Sequence, residues 1–139
     1  MAALSLPDQR EGPEERLAEL SLLLASLGIE TLGSAAQGRG EPSSATLVGR
    51  GKAEELRLFC SSLRARYLVF DEALSPVQRA NLEALTKVTV WDRPFVIMKI
   101  FERRALTAEA RLQVQMAMAR YEIPHLKGLW LQMSRTGGG

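Results

Sequence analysis

Apolar residues return along this chain at two periods, and each change of period marks a new element. Leu17, Leu20, Leu23, Leu24 and Leu27 recur at helical spacing between Pro13 and Gly28, with Glu14 and Glu15 in the first turn. That pattern predicts a helix buried along one face and stopped at the glycine. Ile29 to Ala36 reads as a strand, the Gly38, Gly40, Pro42, Ser43, Ser44 cluster as a loop, and Thr46 to Val48 as a second short strand. Gly49 to Lys52 then turns into a helix over Ala53 to Leu63. The continuous run Tyr67-Leu68-Val69-Phe70 predicts a strand buried on both faces of a parallel sheet. Ser75 is placed to cap, and Pro76 to open, a helix running to Leu85, after which Val88, Val90 and Trp91 make another strand.

Helical spacing then takes over for good. Pro94 to Arg104 predicts a short helix with Phe95, Val96, Ile97, Ile100 and Phe101 on its apolar side. Thr107 caps a long one running to Met133, about 40 Å at roughly 1.5 Å per residue. Within it Leu112, Met116, Ala119, Ile123, Leu126, Trp130 and Met133 follow a 4-3-4-3-4-3 spacing. So narrow a seam suits one neighbouring helix better than a broad core. Pro124 lies inside it and costs roughly 3 kcal/mol relative to Ala, whereas each large seam residue gains roughly 1.5 to 3 kcal/mol on burial. A partner helix therefore outweighs the proline, and without one the end beyond Pro124 is expected to kink or fray.

The alternation of strand and helix predicts an α/β fold: a small, largely parallel sheet flanked by helices, followed by a long projecting helix. The first two strands, joined by a short loop, also allow antiparallel pairing. Residues 1–13 hold Pro7, Gly12 and Pro13 among polar groups and read as a disordered tail. Residues 14–92 form the α/β subdomain and 93–139 the helical one.

Composition narrows the class. At 139 residues and 46% apolar the chain holds one core with an appendage. Cys60, the single cysteine, has no intrachain partner and sits on a predicted apolar helix face, so it reads as a buried structural thiol in a reducing compartment. No run approaches eighteen consecutive apolar residues, and the acidic N-terminal stretch suits neither a signal nor a transit peptide, so a cytoplasmic protein without membrane contact is expected. The net charge of +2 hides an asymmetry. Residues 1–92 carry ten Lys or Arg against thirteen Asp or Glu, residues 93–139 eight against three. Such a basic appendage fits a polyanionic partner such as RNA, and equally a solvated helix face.

Candidate chemistry is sparse. Gly49, Arg50, Gly51 and Lys52 lie between a predicted strand and a helix, where free backbone N–H groups could cradle a phosphate. They lack the spacer and final hydroxyl of a Walker loop and the third glycine of a dinucleotide fingerprint, so a plain tight turn competes with that reading. Asp71 and Asp92 stand just past predicted strand ends, where α/β domains bind ligands, and each also suits a helix cap. His125 is the only histidine, which leaves a metal centre or a Ser-His pair without support.

Four motifs occur in order: the Gly49 to Lys52 turn, Phe70 to Gln78, Asp92-Arg93, and Ile100 to Gln115. Together they resemble the N-terminal domain of HflX-type ribosome-associated GTPases, with its Gly-Lys-Gly-Lys turn, its Leu-Ser-Pro-x-Gln segment and its Arg-Ala-x-Thr-x-Glu-Ala run. The resemblance spans about Ala45 to Gly139. Pro94, Lys99 and Gln115 depart from it, standing where the family usually has Thr, Asp and Glu.

The resemblance implies an α/β subdomain, then two long antiparallel helices whose joining loop reaches into the large ribosomal subunit, then a G domain that hydrolyses GTP in splitting or rescuing stalled ribosomes. On that pattern the long helix is half of a helical hairpin, and Ser134 to Gly139 begins the glycine-rich loop. The implied partners are the large subunit and its rRNA, and the second helix and G domain of a longer protein. Arg103, Arg104, Arg111, Arg120, Lys127, Arg135 and Gly137, Gly138, Gly139 are the candidate rRNA contacts, although Arg103 and Arg104 could instead pair with Glu102 or Glu109. No G-domain phosphate loop occurs in this sequence, so GTP and magnesium are expected only with that domain, and no catalysis or metal is expected here. Two further expectations stand beside this one: an adenine-nucleotide site using Gly49, Arg50, Gly51, Lys52 and Asp71, and homodimerisation through the seam.

Overall fold

Leu68, Val69 and Phe70 are all fully buried, and their alternation sets the layers of the fold. Leu68 and Phe70 point to one side of the sheet, Val69 to the other. A computed structural model describes residues 2–5, 12–36 and 50–137. Its elements are β1 (Ala2–Ser5), α1 (Pro13–Ser26), β2 (Gly33–Ala36), α2 (Arg50–Leu63), β3 (Tyr67–Phe70), α3 (Pro76–Thr86), β4 (Thr89–Asp92), α4 (Arg93–Arg104) and α5 (Ala108–Gly137). The four strands are all parallel, in the order β2-β1-β3-β4.

Helices cover both faces. Ala53, Leu56 and Cys60 of α2 and Leu82 of α3 pack with Leu68, Phe70 and Val90 on one side. Leu17, Leu20 and Leu24 of α1 and Val96 and Ile100 of α4 pack with Val69 on the other. The α/β unit thus continues through α4 instead of closing at Asp92. The small parallel sheet with flanking helices and a long following helix is the architecture read from the sequence pattern.

Local chemistry accounts for the boundaries. Gly28, at φ 77, closes α1 with Gly28 N–H donating to Ala25 at 2.9 Å and Ile29 N–H to Leu24 at 3.0 Å, a Schellman pair, and Ile29 packs against the cluster that holds Leu24. Ser75 and Gln78 form the capping box of α3. Thr107 accepts from Ala110 N–H at 3.0 Å at the start of α5.

Several expectations change. The tail reading of residues 1–13 fails at its start: Ala2–Ser5 is β1, paired on both sides in the interior of the sheet. Four residues are too few to show a period, and two backbone ladders supply what the side chains do not signal. The strand expected over Ile29 to Ala36 is confined to Gly33–Ala36. The expected strand Thr46 to Val48 lies outside the described residues. So does Gly49, while Arg50, Gly51 and Lys52 form the first turn of α2 and not a loop before it. Finally, α5 runs unbroken through Pro124 to Gly137, because Tyr121, Glu122 and His125 anchor it on both sides of the proline.

The core assignment is checked by a pair of neighbouring leucines on α1. Leu20→Ala is expected to cost about 2–5 kcal/mol in urea unfolding, as a void in a fully buried cluster. Leu22→Ala, at a position 73% exposed, is expected to stay within about 0.5 kcal/mol.

Candidate functional site

β4 is an edge strand, and an open edge leaves unpaired peptide groups. Here side chains close it. The register that pairs Leu68 with Val90 turns the Val90 N–H and C=O outward. Glu83 accepts from Val90 N–H at 3.0 Å, and Arg79 Nε donates to Val90 C=O at 2.7 Å. The two stand one turn apart on α3, so together they bond the edge as a neighbouring strand would.

The same two side chains hold α5. Arg79 Nη1 donates to Glu122 at 2.8 Å, and His125 Nε2 meets Glu83 at 3.0 Å. Arg79 also lies over the rings of Phe95 and Tyr121, 5.3 and 5.0 Å from their centroids, while those rings stack on each other at 5.0 Å. In this way α5 bridges α3, on one face of the sheet, and α4, on the other. Burial, and then Arg79, push the His125 pKa down, and the two glutamates oppose them incompletely. His125 is therefore neutral at pH 7. The Tyr121 pKa is raised by burial first and by Asp92 next, and its hydroxyl closes no hydrogen bond of good geometry.

Asp92 is wholly structural. Its carboxylate accepts from Phe95 N–H at 3.1 Å, capping α4, and from Leu74 N–H at 2.9 Å. Asp71 is likewise enclosed, with Arg16 Nε at 2.5 Å and Arg93 Nε at 2.6 Å. Arg16 reaches on to Glu72 and Arg93 to Glu19. Lys52 lies 3.5 Å from Glu55, one turn along α2. Among the described residues no His, Cys, Asp and Glu side chains gather as metal ligands would, and no helix is long and apolar enough to cross a membrane.

The outer face of α5 carries the expected seam, fully in view. Leu112, Met116, Ala119, Ile123, Leu126 and Trp130 are exposed, Trp130 by 67%, and the Met133 side chain lies outside the described residues. Of the expected basic contacts, Arg103 donates to the Ser26 carbonyl at 2.9 Å and Arg111 to that of Ala105 at 3.1 Å, so Arg103 caps α1 and does not pair with a glutamate. Arg104, Arg120 and Lys127 are exposed. Arg135 and Gly137 fall in the last turns of α5, the Arg135 side chain lying outside the described residues, as do Gly138 and Gly139. Lys99, where Asp is usual in the resembled pattern, sits 5.6 Å over Phe95 and 6.0 Å over Trp91. A carboxylate there would face the negative faces of the rings.

Comparison with known proteins bears on these placements. The chain matches the family model described as GTP-binding GTPase N-terminal over residues 14–102, and GTP-binding GTPase Middle Region over 104–139. The chain belongs to the HflX-type GTPase family. A GTPase HflX of Chlamydia pneumoniae is 43% identical over 129 residues, 91% of this chain and 27% of that protein. The Escherichia coli GTPase HflX is 38% identical over 125 residues, 90% of this chain and 29% of its own length. The chain thus spans under a third of these relatives. A GTP-binding protein from the hyperthermophilic archaeon Sulfolobus solfataricus, solved with GDP, shares the fold at a TM-score of 0.67 and 18% identity, over 99% of this chain and 42% of that one.

Periodicity singled out the outer seam and passed over the inner face, where Val114, Met118, Tyr121, Glu122 and His125 also recur at helical spacing. Two polar members hid that face. The Arg79–Glu83 pair, four apart on one helix, was the available signal.

Arg79→Met is expected to lower stability by about 3 kcal/mol or more, because it strands Glu83 and the Val90 carbonyl inside. A double-mutant cycle between Arg79 and Glu122 is expected to return only about 1 kcal/mol, since the glutamate is a third exposed.

Proposed function

We propose that this chain is the ribosome-docking part of an HflX-like GTP-binding protein, in which residues 93–139 reach towards rRNA of the large subunit. The observation that carries the reading is the outer side of α5, where an exposed apolar stripe at heptad spacing runs beside Arg120 and Lys127. The stripe fits a second helix packed antiparallel to α5, and the cations that border it fit phosphates. GTP hydrolysis, with its magnesium, belongs on this reading to a G domain beyond these residues. The chain then contributes binding in the cytoplasm to a protein that splits or rescues ribosomes. Homodimerisation through the stripe is the competing use of the same surface, and a monomer by light scattering at high concentration removes it.

Among the described residues, the side chains named for the nucleotide reading are already paired. Lys52 is engaged by Glu55, and Asp71 is shared by two arginines.

Co-sedimentation with large ribosomal subunits tests the docking function. Binding is expected to weaken steeply between 50 and 200 mM salt, by roughly tenfold or more if a few phosphates are neutralised. Arg120→Glu combined with Lys127→Glu is expected to weaken it further and to flatten the salt dependence. Binding that ignores salt, or survives both substitutions, sinks the proposal.

A further inference from the structure

His125 is the last buried side chain of α5 among the described residues, and Leu126, Lys127 and Trp130 beyond it are exposed. It directly follows Pro124, which has no N–H to return to the Arg120 carbonyl. The helix is thus weakest in its own hydrogen bonding just where its last anchor sits.

That anchor has an unusual polar balance. Nε2 meets Glu83 at 3.0 Å, while Nδ1 is buried with no hydrogen-bond partner. A neutral ring protonated on Nε2 donates to Glu83 and leaves Nδ1 as an unused acceptor. A second proton would have to go on Nδ1, where it becomes a buried donor facing no acceptor. The charged groups around the ring are already committed. Arg79 is bound to Val90 and Glu122, and Glu83 to Val90 N–H, while the Tyr121 hydroxyl, one turn back on α5, closes no hydrogen bond.

We propose that the His125–Glu83 contact is a proton-operated latch, which holds the segment of α5 after Pro124 against the sheet edge when His125 is neutral and releases it when His125 is protonated.

The sign follows from the environment. Burial and the Arg79 cation lower the His125 pKa in the docked state, outweighing Glu83 and Glu122. The released arm has its histidine in water, near the ordinary value of 6.5. Docking is therefore at full strength above pH 6.5 and is lost as pH falls through the docked value. Within that window the released-to-docked ratio rises by up to about tenfold per pH unit. Tyr121 and Glu122 stay on the near side of the proline, so release concerns the distal arm and leaves the rest of α5 in place.

NMR on the intact chain tests this. The His125 ring nitrogens are expected to report the Nε2–H tautomer at pH 7.5 and to titrate below 6.5. The amides of Leu126 and Trp130 should shift with the same midpoint, and their exchange protection, corrected for intrinsic rates, should fall progressively as pH drops below 6.5. His125→Gln, which keeps a donor for Glu83 and removes the titration, should leave those amides flat with pH. Titration of His125 at 6.5 or above, distal amides that ignore it, or the same pH response in His125→Gln would each overturn the latch. A purely structural histidine predicts loss of protection at every pH in the glutamine variant and no shared midpoint.

Discussion

A parallel sheet that ends at β4 must do something with the outward N–H and C=O of Val90. The structure answers with one ion pair, Glu83 for the N–H and Arg79 for the C=O. Much else hangs on it. Because the pair is needed at the edge, Arg79 is fixed where it can stack on Phe95 and Tyr121 and bind Glu122, and Glu83 where it can hold His125. The docking of α5 is therefore a by-product of closing a sheet. Burying charges to do so is costly, and the arrangement lasts because both charged groups and both Val90 peptide groups find partners.

α5 consequently serves two surfaces. Its inner face is held by aromatic stacking and ionic contacts, and its outer face is an apolar stripe left open. Apolar side chains thus line both faces of this helix, with Val114, Met118 and Tyr121 turned inward and the stripe outward. An element apolar on two faces suits attachment to one domain through its inner side with its outer side open to a second helix. The family relationship, with relatives more than three times the length of this chain, supplies room for such a partner.

The order of elements was legible because helices and buried strands announce themselves by period. α1, β3, α3 and α4 were all placed within a few residues, helped by Gly28, the Ser75-Pro76 pair and Asp92. β1 was not legible, since Ala2-Ala3-Leu4-Ser5 has neither length nor β-branched residues. The polar hub was hidden for another reason. Arg79, Glu83, Glu122 and His125 look like ordinary surface residues until the edge strand gives them something to bond. Asp71 and Asp92 were visible as special positions, but what each carboxylate meets is set by the fold, Arg16 and Arg93 at Asp71 and the Leu74 and Phe95 N–H groups at Asp92.

The position of β1 carries a consequence for the order in which the molecule assembles. The first of these strands to be synthesised is an interior one, flanked by β2 and β3, and its second neighbour arrives more than sixty residues later. Until Leu68 and its neighbours are made, Ala2–Ser5 has at most the short β2 to pair with, so the nascent chain must carry its own central strand unfinished. A loop closed over that separation is entropically slow. The α3–β4–α4 half, by contrast, is built from adjacent elements and needs no such wait.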